Sequence, residues 1–139
     1  MSRSGYSDEY ENLQLWRNAV ARAIRGERGQ AFLKELLAAL DALPEKRLIP
    51  EALVDSDGEV CALGSVGRLR GLDMSKIDPE DHRKLADTFN IAPALVQEIE
   101  FENDDDFAWN HHQATPEQRF ERMRAWVVRQ IVFDPKETT

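Results

Sequence analysis

LIPEALVDSDGEVCALGSVGRLRGLD, residues 48–73, decides how this chain is built. It holds a tight turn, a run of small residues and the one cysteine, and the sequence on either side of it reads as amphipathic helix. Asp55-Ser56-Asp57-Gly58 is a turn signal, because an Asp side chain bonds the backbone just ahead of it and glycine takes positive φ without a Cβ clash. Before the turn, Leu48, Ile49, Leu53 and Val54 make a short extended arm or a helical turn, since Pro50 forbids a long regular element of either kind. After it, Val60 to Gly67 is a short apolar run that periodicity alone assigns to neither strand nor helix. Gly64 and Gly67 lie three apart with Ala62 and Ser65 beside them, so a helix here would offer a smooth side to a neighbouring helix, with Gly71 as its C-cap. Helix is the expectation. A calcium reading of Asp-Ser-Asp-Gly-Glu fails on spacing: with Gly58 at the glycine of an EF-hand loop, Leu53 and Gly64 fall on ligand positions.

Outward to the N-terminus, Tyr10, Leu13, Trp16, Val20 and Ile24 recur at helical spacing, predicting a helix from an N-cap at Ser7 to about Arg25, broken by Gly26 and Gly29. A second helix, Gln30 to Leu43, places Phe32, Leu33, Leu36, Leu37 and Leu40 on one face and stops at Pro44, so the two form an antiparallel hairpin. Outward to the C-terminus, Asp78-Pro79-Glu80-Asp81 starts a helix that runs to Phe89. Leu85, Ala86, Phe89, Ile91, Val96 and Ile99, with a turn at Asn90, resemble the helix-turn-helix units of bacterial regulators. A DNA-reading second helix needs cations facing phosphates, and this one carries Gln97, Glu98, Glu100 and Glu102 with no Lys or Arg from Ile91 to Thr115. Thr115-Pro116-Glu117-Gln118 is a capping box that opens the last helix, whose core face is Phe120, Met123, Trp126, Val127 and Ile131.

The fold expected is mainly α: a compact bundle of about five or six helices with a helix-turn-helix-like pair and a central glycine-containing turn region. One domain over residues 1–139 is expected, with 1–6 and 134–139 frayed. A single cysteine excludes an internal disulfide and cysteine-based zinc clusters and suits a reducing compartment. Residues 1–12 lack the apolar core of a signal peptide, and no run approaches the ~20 apolar residues of a membrane span, so a cytoplasmic protein is expected. The net charge of -8 opposes nonspecific binding of nucleic acid or anionic membrane. The local exception is Arg17, Arg22, Arg25 and Arg28, diluted by Glu27 and by the acids of residues 8 to 11.

Residues 98–106, EIEFENDDD, gather six acids and no base. They fit a solvated helix end, a negative surface facing a basic partner, or a metal site of Glu102, Asp104 and Asp106 with His111 or His112 that lacks a diagnostic spacing. The segment Phe107 to Gln113 reads as a loop. Cys61 with His82, His111 or His112 as base and Asn103 or Asp104 as orienter would supply the parts of a cysteine hydrolase. Against that, a cysteine between Val60 and Ala62 behaves as a small hydrophobe. Gly64-Ser65-Val66-Gly67 lacks the P-loop lysine and the dinucleotide fingerprint, so neither a nucleotide nor any other cofactor is expected.

Several stretches carry a resemblance: Gly-Gln-Ala-Phe-Leu and Ala-Leu-Asp-Ala-Leu-Pro within 29–44, Asp-Gly-Glu-Val-Cys-Ala-Leu-Gly at 57–64, Glu-Asn-Asp at 102–104, and Thr-Pro-Glu-Gln-Arg-Phe with Arg-Ala-Trp-Val at 115–120 and 124–127. The chain resembles uncharacterised small acidic proteins encoded by bacterial prophages and mobile elements. That resemblance implies a setting, phage or mobile DNA in a bacterial cytoplasm, where small acidic proteins block host defence machines such as a CRISPR effector. The expectation is a non-enzymatic inhibitor of the anti-CRISPR type, with Glu98, Glu100, Glu102, Asp104, Asp105 and Asp106 meeting a basic protein surface such as a CRISPR effector subunit, and with no metal. The alternatives are a small-ligand sponge with a pocket at Cys61, Gly64, Gly67 and Asn103, and a cysteine-dependent hydrolase.

Overall fold

The reversal at Asp55 forms as its residues dictate. In a computed structural model that describes residues 13–104 and 114–132, the Asp55 carboxylate accepts from the backbone N–H groups of Asp57 and Glu59, both at 2.9 Å. Gly58 takes φ +81°, and the arms meet in one antiparallel bridge, Val54 with Val60. The run after the turn is helical, α3 (Ala62–Arg70). It ends at Gly71, φ +75°, with Gly71 N–H on the Arg68 carbonyl and Leu72 N–H on the Gly67 carbonyl, a Schellman closure.

Five more helices surround it: α1 (Leu13–Arg25), α2 (Glu27–Ala42), α4 (His82–Phe89), α5 (Pro93–Asp104) and α6 (Pro116–Gln130). The described residues contain no regular strand, and the fold is a mainly helical bundle. The Ser7 cap, the loop Phe107 to Gln113 and the frayed ends lie outside the described residues. Among those described, no helix is long and apolar enough to cross a membrane.

Two boundaries and one packing partner differ from expectation. Gly26 breaks the first two helices, but Gly29 lies inside α2, where a Cβ would stand 1.8 Å from the Ala23 carbonyl oxygen. Gly29 is thus a point of close approach by α1 and not a breaker. α4 starts at His82 because Asp78 turns its carboxylate onto Glu80 N–H at 2.9 Å, which leaves the cap to Asp81, whose side chain accepts from Lys84 N–H at 3.1 Å. Gly64 and Gly67 do not receive a helix. A Cβ on Gly64 would sit 2.0 Å from the Leu53 carbonyl oxygen, and one on Gly67 would sit 2.2 Å from Met74 Cγ.

α4 and α5 join through Asn90 in the left-handed region (φ +57°, ψ +48°), the turn expected of a helix-turn-helix-like pair. Its second helix is not presented to solvent, because α5 packs against α1, α3, α4 and α6. Leu95 and Ile99 of α5 are fully buried, as are Leu33, Leu36, Leu63 and Met123 of the same core, each contributing about 1.5–3 kcal/mol. Two arginines pin α2 at the surface. Arg70 grips Glu35 at 2.7 and 2.6 Å and lies 5.3 Å over the Phe89 ring, while Arg124 grips Asp41 at 2.7 and 3.1 Å. These bonds hold the Glu35 and Asp41 carboxyls below their usual range.

Candidate functional site

Asn103 gathers three segments that are distant in sequence. Its Oδ1 accepts from Ala62 N–H, at the start of α3, at 3.0 Å; its Nδ2 donates to the Ile49 carbonyl at 3.0 Å and to Asp104 Oδ1 at 2.8 Å. Asp104 Oδ1 in turn accepts from Glu51 N–H at 3.1 Å, where Glu51 is held at φ +65°. Arg119 enters from α6 and donates Nη1 to the Asn103 carbonyl and, at 3.2 Å, to the Asp104 carbonyl. A guanidinium there meets the orphan carbonyls and the negative end of the α5 dipole. Asn103 and Arg119 are both buried.

Of the four residues expected to line a pocket, Cys61 and Gly64 lie at the start of α3, where Asn103 bonds Ala62 N–H, while Gly67 lies one turn further on against Met74. The Leu53 carbonyl and the Met74 side chain occupy what the two glycines leave open, and Cys61 caps α3, its Sγ accepting from Gly64 N–H at 3.4 Å. Cys61 has no exposed surface, so the hydrolase reading loses its nucleophile. His82 lies with Nε2 2.9 Å from Glu100 Oε1. The His111 and His112 alternatives lie outside the described residues.

The described acids of 98–104 do not share one outward face. Glu100 is completely buried, on the same stripe of α5 as Val96, Ile99 and Asn103. Glu98 and Glu102, one turn apart, are half-buried. The Glu102 carboxyl is pushed up to about 7, first by burial and then by the charge and hydrogen bond of Glu98, with Arg122 and Arg129 pulling the other way. Asp104 belongs to the Asn103 cluster. Asp105 and Asp106 lie outside the described residues, as do the histidines of the metal reading. Among the described residues no group of three His, Cys, Asp or Glu side chains could hold a metal ion.

The surface that sequence reasoning did not find is a groove of about 460 Å³ bounded by α1, α5 and the end of α6. Val20, Ile24 and Trp126 contribute its apolar lining; exposed Arg17, Arg25 and Arg129 stand around it, with half-buried Glu98 and exposed Val132. Gln30 of α2 sets the spacing of the two walls. Its Nε2 donates to the Ile24 carbonyl at 2.7 Å and to the Gln130 carbonyl at 3.0 Å, and its Oε1 accepts from Val132 N–H at 2.8 Å. The basic patch read from the sequence divides here. Arg17 and Arg25 line the groove, whereas Arg22 and Arg28 line a neighbouring cavity of about 310 Å³, Arg28 donating to Asn90 Oδ1 at 3.2 Å. The signal in the sequence was incomplete because Trp126 and Arg129 join this surface from more than 100 residues downstream of Arg25. No protein-family model matches the chain, and no curated protein or solved structure matches it.

Proposed function

We propose that this chain is a non-enzymatic binding protein of a phage or mobile element, working in the bacterial cytoplasm to block a host defence complex of the CRISPR kind. The observation that carries the binding part is where the reactive side chains go: Cys61, Glu100, Asn103 and Arg119 are all buried in the body of the protein. What remains outward among the described residues is surface, and one part of it is the groove of about 460 Å³ bounded by α1, α5 and α6. The defence setting rests on the resemblance of stretches within 29–44, 57–64, 102–104, 115–120 and 124–127 to uncharacterised prophage and mobile-element proteins and on the small, acidic character of the chain. Of the described acids, Glu100 supplies none of the contact because it is inside, and Asp104 is engaged by Glu51 N–H.

The test is phage plating on bacteria that carry active CRISPR effectors, with and without expression of the chain. Restored plating on at least one effector, together with a purified complex of the chain and that effector, supports the proposal. Unchanged plating across the set of effectors rejects it. A second reading, the small-ligand sponge, moves from the filled Cys61 region to the groove, whose volume falls in the range of about 300–1,000 Å³ usual for small-ligand sites. Mass spectrometry of material released by heating the purified protein separates the two.

A further inference from the structure

We infer that the α1–α6 groove takes an acidic, amphipathic segment of a partner protein, its carboxylates on Arg17, Arg25 and Arg129 and an apolar side chain against Val20, Ile24 and Trp126. The inference rests on the reading of the chain as a binding protein and names the chemistry of what it binds.

Charge is the first argument. The chain carries -8 overall, yet three arginines and one carboxylate line this groove, a local reversal of sign. No described carboxylate pairs with Arg17 or Arg25, and Arg25 makes only a bond from Nε to the Ala21 carbonyl at 3.3 Å. Two other arginines, Arg70 and Arg124, are by contrast paired with carboxylates, Glu35 and Asp41. Glu98, the one described acid lining the groove, lies beside Glu102 on α5 and helps push that carboxyl up.

Shape and polarity are the second. Guanidinium groups stand beside an apolar lining of valine, isoleucine and tryptophan, and exposed Val132 extends that apolar surface to the rim. An apolar patch bordered by charge is the pattern of a peptide groove: anchors give affinity and rim charges give orientation. Arg17 and Arg25 are separated by eight residues of one helix, on the order of 12 Å along its axis. Acids two helical turns apart, or four residues apart on an extended strand, match that span. A nucleic acid fits less well, because its phosphates would approach a protein of strongly negative net charge and it offers no aliphatic anchor.

The experiment uses the full chain and fluorescein-labelled peptides of amphipathic helical pattern, with Leu and one Trp on the apolar face and Glu, Gln or Lys on the polar face. Fluorescence anisotropy should show binding of the Glu peptide, weakened by added salt, and at least about tenfold weaker binding to R17E/R25E and to R129E. I24D should lose the Glu peptide while circular dichroism confirms that the variant is folded; W126A serves in its place where it does not fold. Equal binding of the Gln peptide, unaltered binding by the arginine variants, or no binding of any peptide overturns the inference. So does tighter binding of a single-stranded oligonucleotide, or self-association that R17E/R25E abolishes, which would make the groove a contact between copies. The two readings fail separately: restored phage plating without peptide binding removes only this inference, and peptide binding without restored plating removes only the defence role.

Discussion

Replacing Asn103 by alanine removes one side chain and takes the partner from two backbone groups, the buried Ala62 N–H and the part-buried Ile49 carbonyl. Each buried group left without a partner costs about 1–3 kcal/mol, so the variant should lose on the order of 3 kcal/mol even if one of the two finds water. With an unfolding entropy of about 2.1 cal/mol/K per residue, 139 residues give a melting temperature lower by roughly 10 °C. Urea unfolding followed by far-ultraviolet circular dichroism gives the free energy, and a thermal scan gives the shift. Asn103→Asp adds a directional check. The carboxylate keeps the acceptor for Ala62 N–H but loses both donors, so Ile49 is stranded and a negative charge is set beside Asp104 and the C-terminal end of α5. A loss below about 1 kcal/mol for the alanine variant would refute the idea that Asn103 holds these segments together.

Glu102→Gln should leave stability unchanged below about pH 4 and raise it near pH 8.5. The carboxyl titrates at about 7 in the folded protein against 4.5 as reference, so the folded state holds the proton more tightly and stability falls as pH rises between those values. Because Glu102 keeps part of its surface in water, the gain is about 1 kcal/mol in all, well short of the ~3 kcal/mol that the whole shift would give at ~1.4 kcal/mol per pH unit; identical differences in urea midpoint at both pH values would exclude it. Gly64→Ala should cost more than about 3 kcal/mol, since the new methyl meets the Leu53 backbone, whereas Gly67→Ala meets the flexible Met74 side chain and should cost about 1 kcal/mol. Equal urea midpoints would show that the Leu53 arm yields. His82→Ala should cost about 3 kcal/mol by taking a partner from the buried Glu100, and Glu100→Leu in that background should return most of it; additive losses in the double-mutant cycle would contradict the coupling.

Much of the fold was legible where a local rule had no competitor. Asp55 to Gly58, the Thr115–Gln118 capping box and the left-handed Gly71 each solve a hydrogen-bonding problem within a few residues, and each forms as written. The failures share a cause: a residue serving something distant. Gly29 looked like a breaker because the Ala23 carbonyl that demands it cannot be read from helix propensity. Glu100 looked outward because it was counted with its acidic neighbours. Its spacing from Val96 and Asn103 already placed it on the inner stripe of α5, and His82, which receives it, lies 18 positions earlier. The candidate site was the least legible part. Its arginines were visible on α1 alone, while the aromatic lining and the third arginine belong to α6.

Gln30 gives that surface a further property. One amide bonds the carbonyl that ends the Ile24 wall and both polar groups of the wall at Gln130 and Val132, so the gap between the walls is set from α2 behind them. A visitor to the groove would find its width already fixed, would lose little free energy to ordering the receptor, and would be selected by fit to a rigid slot more than by induced closure.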